Sequence, residues 1–238
     1  MNIRCLEMKS SVAGQKLKYL LHLPEKADEP ERKIPVLLFL HGAGERGDDL
    51  KKVKIHGPFK LIDKMSVLRD MIIVGPQCPT DEWWQPETLK ALLEEVLDAH
   101  PEADKKRLYL TGLSMGGYGS WHLIATYPSL FAAAVPICGG GDPLRLSINR
   151  EAGVQSLFDE QDLKKARTLP VWAFHGEKDP VVPVEEARRV LKILREAGSD
   201  ANLTVYAGVE HDSWTQTYEN VAVYDWLSSH VRHSTPEA

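Results

Sequence analysis

Apolar positions along the chain fall into two alternating rhythms. Compact runs of aliphatic, aromatic and β-branched residues occupy 35–41 (PVLLFLH), 71–76 (MIIVGP), 107–112 (RLYLTG), 132–139 (AAAVPICG), 170–176 (PVWAFHG) and 202–208 (NLTVYAG). Runs of this length, bounded by Gly and Pro, predict strands buried on both faces. Between them, 87–100, 116–128, 184–198 and 218–231 repeat apolar residues every three or four positions, the period of an amphipathic helix. Strand and helix in alternation require crossover connections, so the pattern predicts an α/β fold with a mostly parallel central sheet and helices on both faces. Residues 3–9 and 16–23 alternate polar and apolar positions instead, which predicts an antiparallel N-terminal hairpin at one edge. Gly198 follows the periodic run ending at Ala197, as a left-handed helix C-cap prefers, and Pro183 suits the first turn of the helix whose early acidic residues are Glu185 and Glu186.

Composition narrows this picture without changing it. The chain has 238 residues, 43% of them hydrophobic, a size that one domain over 1–238 accommodates. The Pro- and charge-rich stretch 24–33 reads as a surface turn, and 159–168 as a short helix, too little for a large lid. A formal net charge of −5 and no basic block leave no footprint for a nucleic-acid partner. The run Val36 to Leu40 is far short of the roughly 20 apolar residues that span a bilayer, so no membrane insertion is expected. Cys5, Cys78 and Cys138 fit neither a disulfide framework nor a zinc spacing; no metal and a reducing, cytoplasmic setting are expected. The N-terminus lacks an apolar h-region, so no signal peptide is expected either.

Candidate chemistry appears where strands end. Gly112-Leu113-Ser114-Met115-Gly116 matches G-x-S-x-G between a predicted strand and a predicted helix, the context in which a strained turn presents a serine hydroxyl outward. A serine is a weak nucleophile at neutral pH and needs a histidine base oriented by a carboxylate, in the chain order Ser, Asp, His for this arrangement. Asp179 in FHGEKDPVVP follows the strand at 170–176, and His211 in YAGVEHDSW follows the strand at 202–208. Ligands of such sheets bind outside the carboxyl ends of the strands, which puts all three residues on one rim. Asp142, Asp159 and Asp162 are competing acids, while His122, His175 and His230 read better as packed or solvated residues and Asp212 as pointing away. An oxyanion hole requires backbone N–H donors: Met115, next after the serine, supplies one, and Ala43 in the glycine-rich HGAGERG supplies the second, with Gly44 as the alternative. Trp83, Trp84 and Trp214 fall near the same rim, and at least one of them is expected to wall a substrate pocket.

HGAGERGDD, GLSMGGYGSW, HGEKDPVVP and EHDSW, in this order, resemble the α/β-hydrolase fold, and within it the carboxylesterase group related to phospholipase/carboxylesterase and dienelactone-hydrolase-like proteins. The resemblance covers about Val36 to Leu227. It implies hydrolysis of small to medium carboxylic esters through a covalent acyl-enzyme, with Ser114, Asp179 and His211 as the catalytic set and no cofactor. A small-molecule ester is then the expected partner, with homo-oligomerisation left open. Dienelactone hydrolases proper carry a cysteine where this chain has Ser114, which argues against lactone chemistry. Peptidase activity, feruloyl or acetyl esterase activity on the same residues, and a noncatalytic binding module are the competing readings.

Overall fold

The computed structural model describes residues 2–25, 33–141 and 160–232. Its strands are β1 (Asn2–Glu7), β2 (Lys18–Leu23), β3 (Ile34–Leu40), β4 (Ile72–Gln77), β5 (Ala103–Leu113), β6 (Ala133–Ile137), β7 (Trp172–Gly176) and β8 (Asn202–Tyr206). They form one eight-stranded sheet in the order β1-β2-β4-β3-β5-β6-β7-β8. β1 and β2 make the expected antiparallel hairpin, which joins β4 antiparallel; from β4 across to β8 every pairing is parallel. β5 begins earlier than its apolar run, because Ala103 pairs with Ile34 ahead of the register shift that aligns Leu108 with Val36. β3 and β5 are neighbours, yet the chain leaves β3 toward β4 on one side and β5 toward β6 on the other. That reversal opens a crevice at their carboxyl ends.

The helices are α1 (Gly57–Leu61), α2 (Ser66–Arg69), α3 (Pro86–Ala99), α4 (Met115–Thr126), α5 (Glu160–Ala166), α6 (Val184–Glu196), α7 (Trp214–Glu219) and α8 (Val221–Ser228). Strict alternation along the central strands divides the core into two layers. Val36, Leu38 and Leu40 of β3 join Leu108 and Leu110 of β5 on the face covered by α3, α4 and α6. Leu37 and Phe39 join Tyr109 and Leu113 on the other face, under α1, α7 and α8. Burial of these side chains on both sides explains why the strands are almost uniformly apolar. The third position of the acid candidates, Asp162, lies in α5, whereas Asp142 and Asp159 fall outside the described residues.

Two local expectations are corrected. The periodic stretch 218–231 is not one helix: Asn220 takes an extended conformation (φ −85°, ψ 107°) and its side chain accepts from the Ala222 amide at 3.1 Å, ending α7 and capping α8. An asparagine at this position competes with helix continuation by bonding the backbone itself. Pro183 stands at the N-cap of α6 rather than within its first turn. α1 and α2 are too short to leave a periodic signal. No helix among the described residues is long and apolar enough to cross a membrane.

The α7–α8 break fixes the return of the chain to the sheet, so removing its cap has a measurable cost. Asn220→Ala is expected to lower stability by about 1 kcal/mol, seen as a reduced urea midpoint at unchanged m-value.

Candidate active site

Ser114 sits between β5 and α4 with φ 53° and ψ −115°, a backbone conformation that costs a non-glycine residue on the order of 1–3 kcal/mol. The surrounding chain holds it there. Its amide donates to the Ile137 carbonyl at 3.0 Å, and its own carbonyl accepts the Tyr118 amide of α4 at 3.0 Å. Such a sharp turn also drives α4 onto the end of β3: a Cβ at Gly116 would lie 2.0 Å from the Leu40 carbonyl oxygen, so only glycine fits. Ser114 itself remains partly exposed.

The loops after β7 and β8 are stitched to each other by backbone hydrogen bonds. Glu177 and Lys178 amides donate to the carbonyls of Tyr206 and Val209 at 3.0 and 2.8 Å, and the Glu177 carboxylate accepts the Gly208 amide at 2.8 Å. Asp179 and His211 are thereby brought together from positions far apart in sequence. His211 Nδ1 lies 2.7 Å from Asp179 Oδ2, and His211 Nε2 lies 2.9 Å from Ser114 Oγ. Oδ1 of Asp179 accepts the amides of Val181 and Val182, each at 2.9 Å. Burial by itself would push this carboxyl up, but donation from His175, His211 and the two amides outweighs it and holds Asp179 far below the usual carboxylate range. Asp179 is therefore charged throughout the physiological range.

His211 is anchored from the other side by α7. Ser213 N–H donates to the His211 carbonyl at 2.8 Å, and Thr217 Oγ1 donates to the Ser213 carbonyl at 2.7 Å. Asp212 turns away and accepts from the amide and hydroxyl of Thr215 at 3.0 and 2.9 Å. α7 is fixed to the sheet by Tyr218, whose hydroxyl lies 3.1 Å from Thr111 Oγ1 and whose ring meets Phe39 edge-on at 5.8 Å.

The loop after β3 faces Ser114 across the crevice. A Cβ built on Gly42 would be 3.6 Å from Ser114 Cβ. Ala43 opens a short 3-10 turn, Ala43–Glu45, and is exposed; Met115 is buried at the first position of α4. The amides of both residues have no hydrogen-bond acceptor among the described residues. The loop is locked from behind by two residues whose part was not anticipated. His41 donates from Nδ1 to the Gly42 carbonyl at 2.6 Å and accepts the Cys78 amide at Nε2, 3.0 Å away. Burial lowers its pKa to about 4, so the ring is neutral and keeps that donor-acceptor arrangement. Glu45, nearly buried, accepts the Gly42 amide at 2.9 Å. The G-x-x-E spacing of HGAGE is the one sequence signal that could have revealed this contact.

The three tryptophans take different positions. Trp84 is a core residue, 3% exposed, donating from Nε1 to the His41 carbonyl at 3.3 Å; packing against Gly119 and His41 leaves it no face for a substrate, which corrects the expectation for this residue. Trp83 is exposed and meets the Tyr118 ring edge-on. Trp214 stands beside the site: its ring meets that of His211 edge-on at 5.3 Å, and its Nε1 donates to His56 Nδ1 at 3.3 Å. A surface depression opens on Trp214, lined also by His56, Lys60 and Leu61. Of the other histidines, His122 contacts the Gly141 carbonyl and His230 the Trp226 carbonyl, both away from Ser114. No group of three or more His, Cys, Asp or Glu among the described residues is placed to hold a metal ion.

A mostly parallel sheet with this strand order, a strained serine at the β5–α4 turn, and an acid and a histidine delivered after β7 and β8 together define the α/β-hydrolase fold. Within that class the chain belongs to the dienelactone hydrolase family, whose model matches residues 81–229. It is similar to an uncharacterized secreted protein of Arthroderma benhamiae, with 27% identity over 84% of this chain, and to Carboxylesterase SOBER1 of Arabidopsis thaliana, with 23% identity over 84% of this chain and 92% of the relative. Among solved structures it resembles a thermostable esterase at 33% identity and a TM-score of 0.75, covering 97% of this chain. The chain spans 23% of the fungal protein and 63% of the thermostable esterase.

The environment of Asp179 makes stability pH-dependent in a defined direction. Because its folded pKa is depressed, the charged carboxylate stabilises the fold fully above the unfolded carboxyl range, and that contribution is lost as the pH falls toward the folded value. Asp179→Asn is expected to lower stability by about 2 kcal/mol at neutral pH, with the gap to the wild type constant above roughly pH 5 and closing below roughly pH 4 in urea titrations.

Proposed function

We propose that the protein is a serine carboxylesterase acting on small to medium carboxylic esters. The observation that carries this reading is the hydrogen-bonded series Ser114 Oγ, His211 Nε2, His211 Nδ1, Asp179 Oδ2, with separations of 2.9 and 2.7 Å. Asp179 accepts the Nδ1 proton and so leaves Nε2 as the acceptor facing the serine hydroxyl, the tautomer that general-base catalysis needs. Ser114 Oγ attacks the ester carbonyl as His211 takes its proton. The imidazolium, stabilised by Asp179, returns that proton to the leaving alcohol, and an acyl-enzyme remains on Ser114. Water repeats the sequence: His211 accepts its proton, the hydroxide adds to the acyl carbon, and Ser114 Oγ leaves with the proton returned. Each tetrahedral intermediate places negative charge on the former carbonyl oxygen, and the amides of Ala43 and Met115 are assigned to receive it. The first turn of α4 adds the favourable end of a helix dipole.

Esters are favoured over amides because resonance makes the amide carbonyl less electrophilic and harder to attack, so a site relying on these groups alone turns over esters first. The thermostable esterase and the plant carboxylesterase support the same reading. Trp214, with its indole against His211, is assigned to the wall of the substrate pocket.

A panel of p-nitrophenyl acetate and butyrate beside aminoacyl anilides is expected to show turnover of the esters alone. Ser114→Ala should lose on the order of 10⁴- to 10⁶-fold in kcat, since residues of such a set act as a unit. Retention of near-normal ester hydrolysis in that variant removes the assignment. Trp214→Ala is expected to change the acetate-to-butyrate ratio of kcat/KM by roughly tenfold or more, the worth of about one methylene in an apolar pocket; an unchanged ratio removes Trp214 from the pocket.

A further inference from the structure

His175, the penultimate residue of β7, is fully buried, and no step of the proposed reaction uses it. Its Nε2 faces two acceptors, the Val182 carbonyl at 2.8 Å and Asp179 Oδ2 at 3.3 Å. Neither group can donate, so the proton of the ring must be on Nε2. Nδ1, on the opposite side, is buried without a partner among the described residues. A polar nitrogen left unpaired in the core carries a cost, and an apolar side chain of similar shape would avoid it. The compensation must come from what the Nε2 proton does.

Those two acceptors belong to one loop. Val182 gives its carbonyl to His175 and its amide to Asp179 Oδ1, while Asp179 Oδ2 faces both His175 and His211. The ring of His175, carried on a sheet strand, therefore ties the two ends of the segment from Asp179 to Val182 together. It also sets the plane of the carboxylate: with Oδ1 held by two amides and Oδ2 flanked by His175, the remaining lone pair of Oδ2 points at His211 Nδ1.

We propose that His175 is a positioning residue for the ester hydrolysis, holding the Asp179 carboxylate in the orientation in which it aligns His211 with Ser114. This rests on the assignment of Ser114, His211 and Asp179 made above.

The test compares H175F, which keeps the ring volume without a donor, with H175Q, whose side-chain amide restores a donor near the Nε2 position. H175F is expected to lower kcat roughly 10- to 100-fold with KM nearly unchanged, the scale set by misorientation of a reacting group. H175Q should recover most of kcat. Equal losses in both variants, or wild-type kinetics in H175F, overturn the proposal. Nitrogen-15 NMR of the wild-type protein reads the contact without reference to activity and without any variant having to fold. A proton on His175 Nε2 with a hydrogen-bond coupling to the Val182 carbonyl is expected, and a proton on Nδ1 overturns the proposal. If the wild type hydrolyses no ester through Ser114, the reading of the site fails, and the NMR result still decides whether His175 holds the Asp179 loop.

Discussion

A single buried carboxylate organises the functional edge of this molecule. Asp179 lies in the low-dielectric end of the sheet, where an isolated charge would be costly, and it persists because Val181, Val182, His175 and His211 all point donors at it. The same contacts that satisfy the charge determine geometry. Two amides fix one oxygen, and two imidazoles, one on β7 and one in the loop after β8, face the other. Without that charge, the loops after β7 and β8 would retain their backbone stitching, but nothing would select the tautomer and angle of His211 that leave its Nε2 facing Ser114.

Strain and satisfaction are divided between opposite sides of the crevice. On the β5 side, Ser114 is held at a positive φ by hydrogen bonds from its own amide and carbonyl and by the tight contact of Gly116 with the end of β3. The strain is local and the compensation is distributed, which is how a rigid scaffold keeps an unfavourable conformation. On the β3 side, the amide-rich turn at Ala43 is braced from beneath by neutral His41 and by Glu45, so its free N–H groups do not depend on flexible side chains for their direction. In the proposed reaction, donors already in place need no rearrangement as charge develops on the substrate.

Aromatic packing links these two sides. Phe39 of β3 contacts Tyr218 of α7, Tyr218 reaches Thr111 of β5, and Trp214 at the start of the same helix rests against His211 and bonds His56. The glutamate behind the Ala43 turn approaches that His56 at 3.8 Å. A short helix with few residues of its own is thus held by contacts to the central strands, and it carries the histidine loop with it. The break at Asn220 then lets α8 turn its buried face, Val223, Tyr224 and Leu227, back onto the sheet.

Much of this was legible along the chain. Continuous apolar runs meant strands buried on both faces, three-to-four periodicity meant helices, and G-x-S-x-G between them marked the turn at Ser114, because each signal arises from local sterics and from period alone. Asp179 and His211 were legible as strand-end residues in the right order. What sequence could not show were the contacts made between segments distant in the chain: the burial of Trp84 beneath the site, the bracing by His41 and Glu45, and the fork from His175 to Val182 and Asp179. Whether a histidine at a strand end is packing or positioning depends on which acceptors lie within 3.5 Å of each ring nitrogen, and only the closing of the sheet decides that. Local order thus followed from residue type and spacing, while the partners of each buried polar atom followed from tertiary structure, since hydrogen bonds are short-ranged and directional and chain patterning specifies neither distance nor direction across the fold.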